Sequence, residues 1–186
     1  MRSTCICAVL GLAGALALPV AALADPIHRI DNDAYWHHDS GWVFPARFGG
    51  FEREGAAQDV AGTADAVAHY VRVANGVRVV VSVEVFSADS AAPNSLLAMA
   101  RGELVGSVVG VQGHLTDDTL PVGKGLTASC LRFAASGDAP SEAMYFVEAG
   151  AWRVRIRATL PAAARGVLDE LDAFVQSQRW DTLGTR

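Results

Sequence analysis

Cysteine is scarce in this chain of 186 residues, and this limits how the fold can be held together. The sequence has three cysteines, of which Cys5 and Cys7 lie in the first 24 residues. If that segment is removed, Cys130 is left alone, and a disulfide within the remaining chain is excluded. The stability must then come from an apolar core. We expect Cys130, which lies in an apolar strand-like run, to be buried as a small hydrophobic residue.

Positively charged residues are also fewer than negatively charged ones. The chain has 15 lysine and arginine residues against 20 aspartate and glutamate residues, and its formal net charge is −5 at pH 7. An acidic chain has no electrostatic attraction to nucleic acid or to an anionic lipid surface. The composition therefore predicts that nucleic acid is not a partner.

The sequence lacks the motifs that identify common enzymes and cofactor sites. No G-x-S-x-G pattern is present, so no nucleophile elbow is predicted. In Gly123-Lys124-Gly125 the lysine is followed by glycine rather than serine or threonine, which excludes a phosphate-binding loop. Asp117-Asp118 lacks the other ligands of an EF-hand. We therefore assign no catalytic residue and no cofactor.

His37-His38 lies near three aspartates and forms the densest group of possible metal ligands. Adjacent histidines of an extended segment point to opposite sides, and the i, i+4 spacing of a preorganised zinc pair is missing. We interpret the group as part of a solvated segment and assign no metal site, with weak metal binding as the alternative. The three aspartates are Asp31, Asp33 and Asp39.

The first 24 residues have the organisation of a secretory signal peptide. Arg2 supplies positive charge, Cys5–Val20 is almost entirely apolar, and residues 22–24 place small side chains at a cleavage position. We predict cleavage near Ala24 and a periplasmic or secreted protein. The alternative is an uncleaved envelope anchor, because about 20 apolar residues can span a membrane. Membrane contact is expected only in that case.

The rest of the chain divides into a lead-in and one domain. Residues 25–42 are polar and show no periodicity, which predicts an extended or loosely ordered lead-in that docks Trp36 or Trp42 on the body. Residues 43–186 show neither a repeat nor a second type of composition. We therefore expect this second segment to form a single domain with a core of its own.

Asn75-Gly76 is the clearest local indication of a turn, because this pair favours the positive φ angles of a type I′ turn. It predicts a hairpin of Ala64–Val73 with Val77–Phe86, whose second strand is rich in valine and expected to be covered on both faces. The two-residue loop fixes the register, which pairs Val73 with Arg78, Val71 with Val80 and His69 with Ser82.

Four further segments are predicted to be strands, giving a mainly antiparallel sheet of about six. Gly110–Gly125 is rich in Gly, Asp and Thr and is interpreted as a loop. If Ala149-Gly150 closes a tight hairpin, Glu142 lies opposite Arg157. The four strands are Gly50–Gln58, Leu126–Ala135, Glu142–Ala149 and Ala151–Leu160.

Two helices are predicted to pack on this sheet, which makes the expected fold class α+β. Asn94 or Ser95 is the expected cap of the first helix, in which apolar residues recur every three or four positions as far as Val108. Pro161 opens the second helix, where its missing N–H costs nothing. The apolar stripe of the second helix is Val167, Leu168, Leu171, Phe174 and Val175, with Asp169, Glu170 and Asp172 facing water.

The candidate binding residues are three arginines on the last strand. Arg153, Arg155 and Arg157 alternate with apolar residues, so that their side chains line one face over ~13 Å. Such a stripe can bind the carboxylate or phosphate of a small anionic ligand through forked hydrogen bonds. The alternative is an internal ion-pair face, neutralised by Glu142, Glu148 and the acidic last helix.

His69, Ser82 and Glu84 share one face in the predicted register and offer a base, a hydroxyl and a carboxylate. A serine in the middle of a strand lacks an oxyanion hole, so we interpret the three as a polar stripe. A small periplasmic hydrolase is the alternative function, and it requires His69 or His114 to meet a carboxylate and a hydroxyl in one pocket.

Two segments resemble parts of small secreted bacterial proteins of unknown function. They are Trp42 with Phe44-Pro45 and Phe48-Gly49-Gly50-Phe51-x-Arg53, and the closing run Trp152–Pro161 before a helix and a tryptophan. The resemblance implies an architecture similar to the PsbP type of α/β/α sandwich and transfers no catalytic residues. Members of that fold class mostly bind or assist other proteins. We expect an exported, non-enzymatic binding or accessory domain whose partner is a protein or a small anionic ligand.

Overall fold

The computed structural model describes residues 26–60, 64–88 and 93–184. The predicted signal peptide, residues 1–24, lies outside the described residues. Within the described ranges, no helix combines the length and the apolar character needed to cross a membrane.

Antiparallel strands dominate the described chain, which corrects the predicted α+β fold. Eleven strands form one sheet of three and one of eight, where the sequence predicted about six strands, and the two α-helices are short. The strands are β1 (Ile27–Arg29), β2 (Tyr35–His37), β3 (Val43–Phe44), β4 (Arg47–Phe48), β5 (Phe51–Val60), β6 (Ala64–Ala74), β7 (Val77–Ser87), β8 (Gly113–Gly123), β9 (Leu126–Ala135), β10 (Ser141–Ala149) and β11 (Trp152–Leu160).

The additional strands come from segments without apolar alternation. Gly113–Gly123, inside the predicted loop Gly110–Gly125, is strand β8 and has mostly exposed side chains. It is therefore held by backbone pairing with β9 rather than by burial, and hydrophobic periodicity does not reveal such a strand. The predicted lead-in contributes β1 and β2, and β2 pairs with β1 on one side and with β3 on the other in the small sheet.

The helices begin close to the predicted positions. Helix α1 (Pro93–Ser107) starts one residue before the expected cap at Asn94. After Pro161 the chain first forms a 3-10 helix, Ala162–Val167, and then α2 (Leu168–Gln176). Leu171, Phe174 and Val175 of the predicted stripe are buried, which confirms the core-facing side of α2.

The large sheet has the strand order β4-β5-β6-β7-β11-β10-β9-β8, and all its pairs are antiparallel. Its β6–β7 hairpin has the predicted register, with Val71 opposite Val80 and His69 opposite Ser82. The turn at Asn75-Gly76 has the two positive φ angles of a type I′ turn, 51° and 74°.

The β10–β11 hairpin closes later than predicted. Ala149 pairs with Trp152, so the turn is at residues 150–151, and Glu142 lies opposite Thr159 rather than Arg157. The observed register differs from the predicted register by two residues. Because side chains alternate with a period of two, every side chain stays on its predicted face.

The two helices cover opposite faces of the large sheet. In β9, Cys130 belongs to the core under α2 and its neighbour Leu131 belongs to a second core under α1. Consecutive side chains of a strand point to opposite faces, so the two cores lie on either side of the sheet. Cys130 is fully buried, as predicted. Trp42 is also fully buried in the first core, with its ring 5.0 Å from that of Trp180.

Candidate ligand-binding site

Arg155, the middle residue of the predicted arginine stripe, is already bound to carboxylates. Its Nε donates to Glu84 Oε2 at 2.8 Å, and its Nη2 donates to the same oxygen. Its Nη1 lies 3.5 Å from Oε2 of Glu103 on α1. The side chains of Arg155 and Glu84 are only 21% and 16% exposed. This pair is therefore largely screened from water.

The other two arginines of the stripe also have acidic neighbours. Arg153 Nε donates to Glu148 at 3.2 Å. Arg157 Nε lies 3.6 Å from Glu142 Oε2, a diagonal pair that the observed register allows. The stripe thus forms an ion-pair face, and an anionic ligand would have to compete with these carboxylates. Two of the partners, Glu84 and Glu103, were not anticipated from the sequence.

The residues considered for a hydrolase do not converge in the structure. Ser82 Oγ donates to Glu84 Oε1 at 2.9 Å, and Glu84 is itself bound to Arg155. His69 is exposed on β6. His114 lies on β8, with four strands between β6 and β8 in the sheet order.

The two adjacent histidines have different surroundings. His37 is buried, its Nδ1 is 2.8 Å from Ser40 Oγ, and its ring packs edge-on against Trp152. His38 is exposed, and its Nδ1 is 2.9 Å from Asp39 Oδ1. Across residues 26–60, 64–88 and 93–184, no three His, Cys, Asp or Glu side chains are placed to share a metal ion.

A pocket of about 80 Å³ lies between the 3-10 helix and the neighbouring ends of β9, β10 and β11. We call it the arginine pocket, because two arginines contribute to its lining. Most of its surface is apolar. It is lined by Arg132, Phe133, Ala134, Ser141, Glu142, Leu160, Arg165 and Leu168.

Arg165, from the 3-10 helix, is the unusual cation of this pocket. Its Nη2 donates to the carbonyl oxygens of Gly137 at 2.5 Å and Ala139 at 2.9 Å, which ties the helix to the β9–β10 loop. Its Nε is buried and has no hydrogen-bond partner. No carboxylate of the described residues forms an ion pair with Arg165. Its positive charge is therefore compensated only by carbonyl dipoles.

Arg132, from β9, is held by two carboxylates. Its Nη2 donates to Asp172 Oδ1 at 2.8 Å, and its Nη1 donates to Asp118 Oδ2 at 3.3 Å. The expectation that Asp172 faces water is thus wrong, because this side chain bridges α2 to the sheet. Arg132 Nε is buried without a partner, like that of Arg165.

Tyr145 completes this network by donating to Asp172 Oδ1 at 2.5 Å. Burial, reinforced by its hydrogen bond to Asp172, raises the pKa of the Tyr145 hydroxyl, which therefore stays protonated. Burial lowers the pKa of Arg132, but its contacts with Tyr145 and Asp172 outweigh this effect, and the net shift is upward. The guanidinium and the hydroxyl are thus both held as donors.

The two remaining polar residues of the pocket differ in what they can still bind. Ser141 Oγ accepts a hydrogen bond from the Ala135 amide at 3.1 Å, so its own hydroxyl proton can be donated. Glu142 Oε1 accepts from Thr159 at 2.8 Å. Glu142 Oε2 has no hydrogen bond, but Arg157 Nε balances its charge from 3.6 Å. The pocket residues thus keep both donors and one acceptor without a hydrogen bond, namely Arg132 Nε, Arg165 Nε and Glu142 Oε2, and all three atoms are buried.

The sequence analysis singled out neither of these two arginines. Arg132 shares a face of β9 with the core residues Ala128 and Cys130. A charged residue at a core-facing position needs a buried partner. The position of Arg132 in the apolar pattern of β9 was therefore the sequence feature that indicated a buried ion pair. Arg165 stands alone between alanine and glycine, and no periodic pattern marks it.

No protein-family model and no curated protein matches this chain. The arginine pocket is therefore identified by its geometry and its chemistry.

Proposed function

We propose that this chain is an exported, non-catalytic binding domain and that the arginine pocket is its ligand site. The observation that carries the proposal is a mostly apolar pocket that two arginines help to line. One of them, Arg165, has carbonyl partners but forms no ion pair with a carboxylate of the described residues. The apolar wall favours a ligand with an apolar body, because its burial removes apolar surface from water.

The export part of the proposal is supported by the residue order of the first 24 positions. A positive charge, an apolar run and small residues before Asp25 form the pattern that a signal peptidase recognises. N-terminal sequencing of the protein from a periplasmic fraction tests this point. We expect the mature chain to begin at Asp25, and an intact Met1 terminus in the envelope fraction would contradict export with cleavage.

A stability screen of pocket variants tests the binding function. Ala134→Phe places a large ring at the pocket wall and leaves both arginines in place. Ala56→Phe is the matched control, because Ala56 is an exposed strand residue on β5, away from the pocket. Each protein is heated with a panel of small carboxylates, alcohols, amides and amines.

We expect at least one compound to raise the melting temperature of the parent and of Ala56→Phe, because a ligand that binds only the native state stabilises it. Ala134→Phe should not respond to that compound. If no compound distinguishes Ala134→Phe from the parent, the arginine pocket is not a ligand site.

A further inference from the structure

We propose that His28 and His38 form a copper(II) site on the small sheet, on the face that also carries Trp36. This inference is independent of the arginine pocket, because no residue of the small sheet lines that pocket. It follows from the placement of the two imidazole rings, from the hydrogen bond that orients one of them, and from the number of ligands on this face.

The register of β1 and β2 brings the two histidines to one face. His28 lies directly opposite Trp36. The pairing continues past the end of β2, because the His38 amide donates to the Pro26 carbonyl oxygen at 2.8 Å. Side chains two positions apart on a strand share a face, so His38 lies on the same side as Trp36 and His28. Both histidines are exposed.

The pair that the sequence made conspicuous, His37-His38, is not the pair that the fold brings together. His37 points to the opposite face, where it is buried and its Nδ1 is 2.8 Å from Ser40 Oγ. His28, ten residues before His38, takes its place through the strand pairing. The sheet thus replaces two histidines that diverge with two that face the same solvent.

The separation of the two exposed rings is close to what one metal ion requires. The centres of the His28 and His38 rings are 6.5 Å apart. Metal–nitrogen bonds of about 2.0–2.1 Å place the centres of two ligand rings roughly 5–6 Å apart. The rings must therefore approach each other by about 1 Å, which exposed side chains achieve by rotating about their own bonds.

Asp39 orients His38 for metal binding. The His38 Nδ1 lies 2.9 Å from Asp39 Oδ1. An ionised carboxylate only accepts hydrogen bonds, so in the neutral ring the proton is on Nδ1 and the lone pair is on Nε2. A histidine that binds a metal commonly donates its other N–H to a carboxylate in this way. Within the described part of the chain, the His28 ring forms no hydrogen bond or ion pair that a metal would have to displace.

The small number of protein ligands favours copper(II). Among the described residues no third His, Cys, Asp or Glu side chain joins the pair, so water must complete the coordination. Imidazole suits zinc, copper, iron and nickel, and copper(II) binds a given nitrogen site most strongly among the divalent ions of this series. A site of two imidazoles has little geometry with which to select an ion. It therefore selects by affinity, and copper(II) is the ion that it holds best.

Calorimetric titration of the full protein, purified without a histidine tag, with copper(II) and zinc(II) at pH 7 tests the inference. The parent is compared with His28→Gln, His38→Gln and Asp39→Asn. His69→Gln and His114→Gln are matched controls, because each removes an exposed histidine of the large sheet. Electron paramagnetic resonance counts the nitrogen atoms bound to copper(II). Melting temperatures without metal verify that the substitutions of exposed residues leave the fold intact.

We expect one copper(II) ion per chain with two nitrogen ligands. Loss of a partner that orients a ligand typically weakens metal binding by about 10–100-fold, so Asp39→Asn should weaken it about tenfold. His28→Gln and His38→Gln each remove a ligand and should weaken binding by about tenfold or more. The two control variants should bind like the parent, and zinc(II) should bind the parent more weakly than copper(II) does.

Several results overturn the inference. If the parent binds no copper(II), or if either His28→Gln or His38→Gln binds it like the parent, the two rings do not form a site. An equal loss of affinity in a control variant would show binding spread over surface histidines, and tighter binding of zinc(II) would refute the choice of metal. Unchanged binding by Asp39→Asn would refute the orienting role of Asp39. None of these results bears on the arginine pocket, whose test uses other residues and other ligands.

Discussion

The Arg155–Glu84 pair allows a direct test of whether the arginine stripe on β11 is structural. Two donors of Arg155 share one oxygen of Glu84, and the two side chains are 21% and 16% exposed. Exposed pairs contribute about 0–1 kcal/mol. Removing one partner of a fully buried pair costs about 3–5 kcal/mol. At this intermediate burial we expect Arg155→Met and Glu84→Gln each to cost about 2 kcal/mol.

The double variant separates the cost of an unpaired charge from the value of the pair. In the parent, the guanidinium of Arg155 lies 5.3 Å from the centre of the Phe86 ring. Arg155→Met keeps an unbranched side chain next to this ring. With both charges removed, no buried charge is left alone. We therefore expect the double variant to cost less than the sum of the single changes, with a coupling of about 1–2 kcal/mol.

Urea unfolding at pH 7 and low salt measures these free energies. The parent and Arg155→Met are also compared in phosphate and in chloride at equal ionic strength. A closed ion-pair face predicts no specific effect of phosphate at this stripe. Our reasoning is refuted if both single variants stay within about 0.5 kcal/mol of the parent and the coupling is zero. A phosphate effect that disappears in Arg155→Met would restore the stripe as a ligand site.

Three further predictions concern packing and burial. Leu104→Ala should cost about 3 kcal/mol in urea unfolding, because Leu104 is fully buried where α1 meets the sheet. Gly113→Ala should cost about 1–3 kcal/mol in the same assay, since its Cβ would lie 2.4 Å from Phe133 Cζ and 2.6 Å from the Ala134 carbonyl oxygen. Burial raises the pKa of Cys130 to about 11 from 9.0, so iodoacetamide at pH 8 should label it only after unfolding, as mass spectrometry will show.

Matched controls separate these effects from changes in secondary structure. Val105→Ala alters an exposed site of the same helix as Leu104→Ala and should be nearly neutral. Gly102→Ala has open space around its new methyl group in α1 and should stabilise by about 0.5–1 kcal/mol. Equal effects within either pair would contradict the packing argument. Labelling of native Cys130 at the rate of a free thiol would contradict its burial.

Turn chemistry was sufficient to predict the β6–β7 hairpin of the large sheet, whereas the pairing of β7 with β11 was not predicted. Asn75-Gly76 has one favourable hairpin conformation, so its register follows from local backbone preferences alone. Gly150 also has positive φ, at 60°, but neither of its neighbours favours a type I′ turn. The β10–β11 register was therefore predicted two residues away from the one observed. The residues of a turn determine the register of its hairpin only where they disfavour every alternative turn.

The strand content was underestimated for a different reason. Hydrophobic periodicity detects strands that bury one face, whereas β8 pairs along its whole length with β9 and buries little. Its Asp117 and Asp118 instead bind Arg101 and Arg132. These partners are remote in the sequence, so nothing local to β8 indicates a strand.

The remoteness of interaction partners in the sequence also explains why the candidate site was not found from the sequence. Three arginines at alternate positions are conspicuous, but a regular stripe on a sheet also faces regular positions on the neighbouring strands. Here those positions carry Glu84 and Glu148, which bind Arg155 and Arg153, while Arg157 lies near Glu142. Arg165 belongs to no stripe and therefore has no matched acid opposite it. A solitary cation beside an apolar wall keeps its charge available, and this makes the irregular position the better place to look for a ligand.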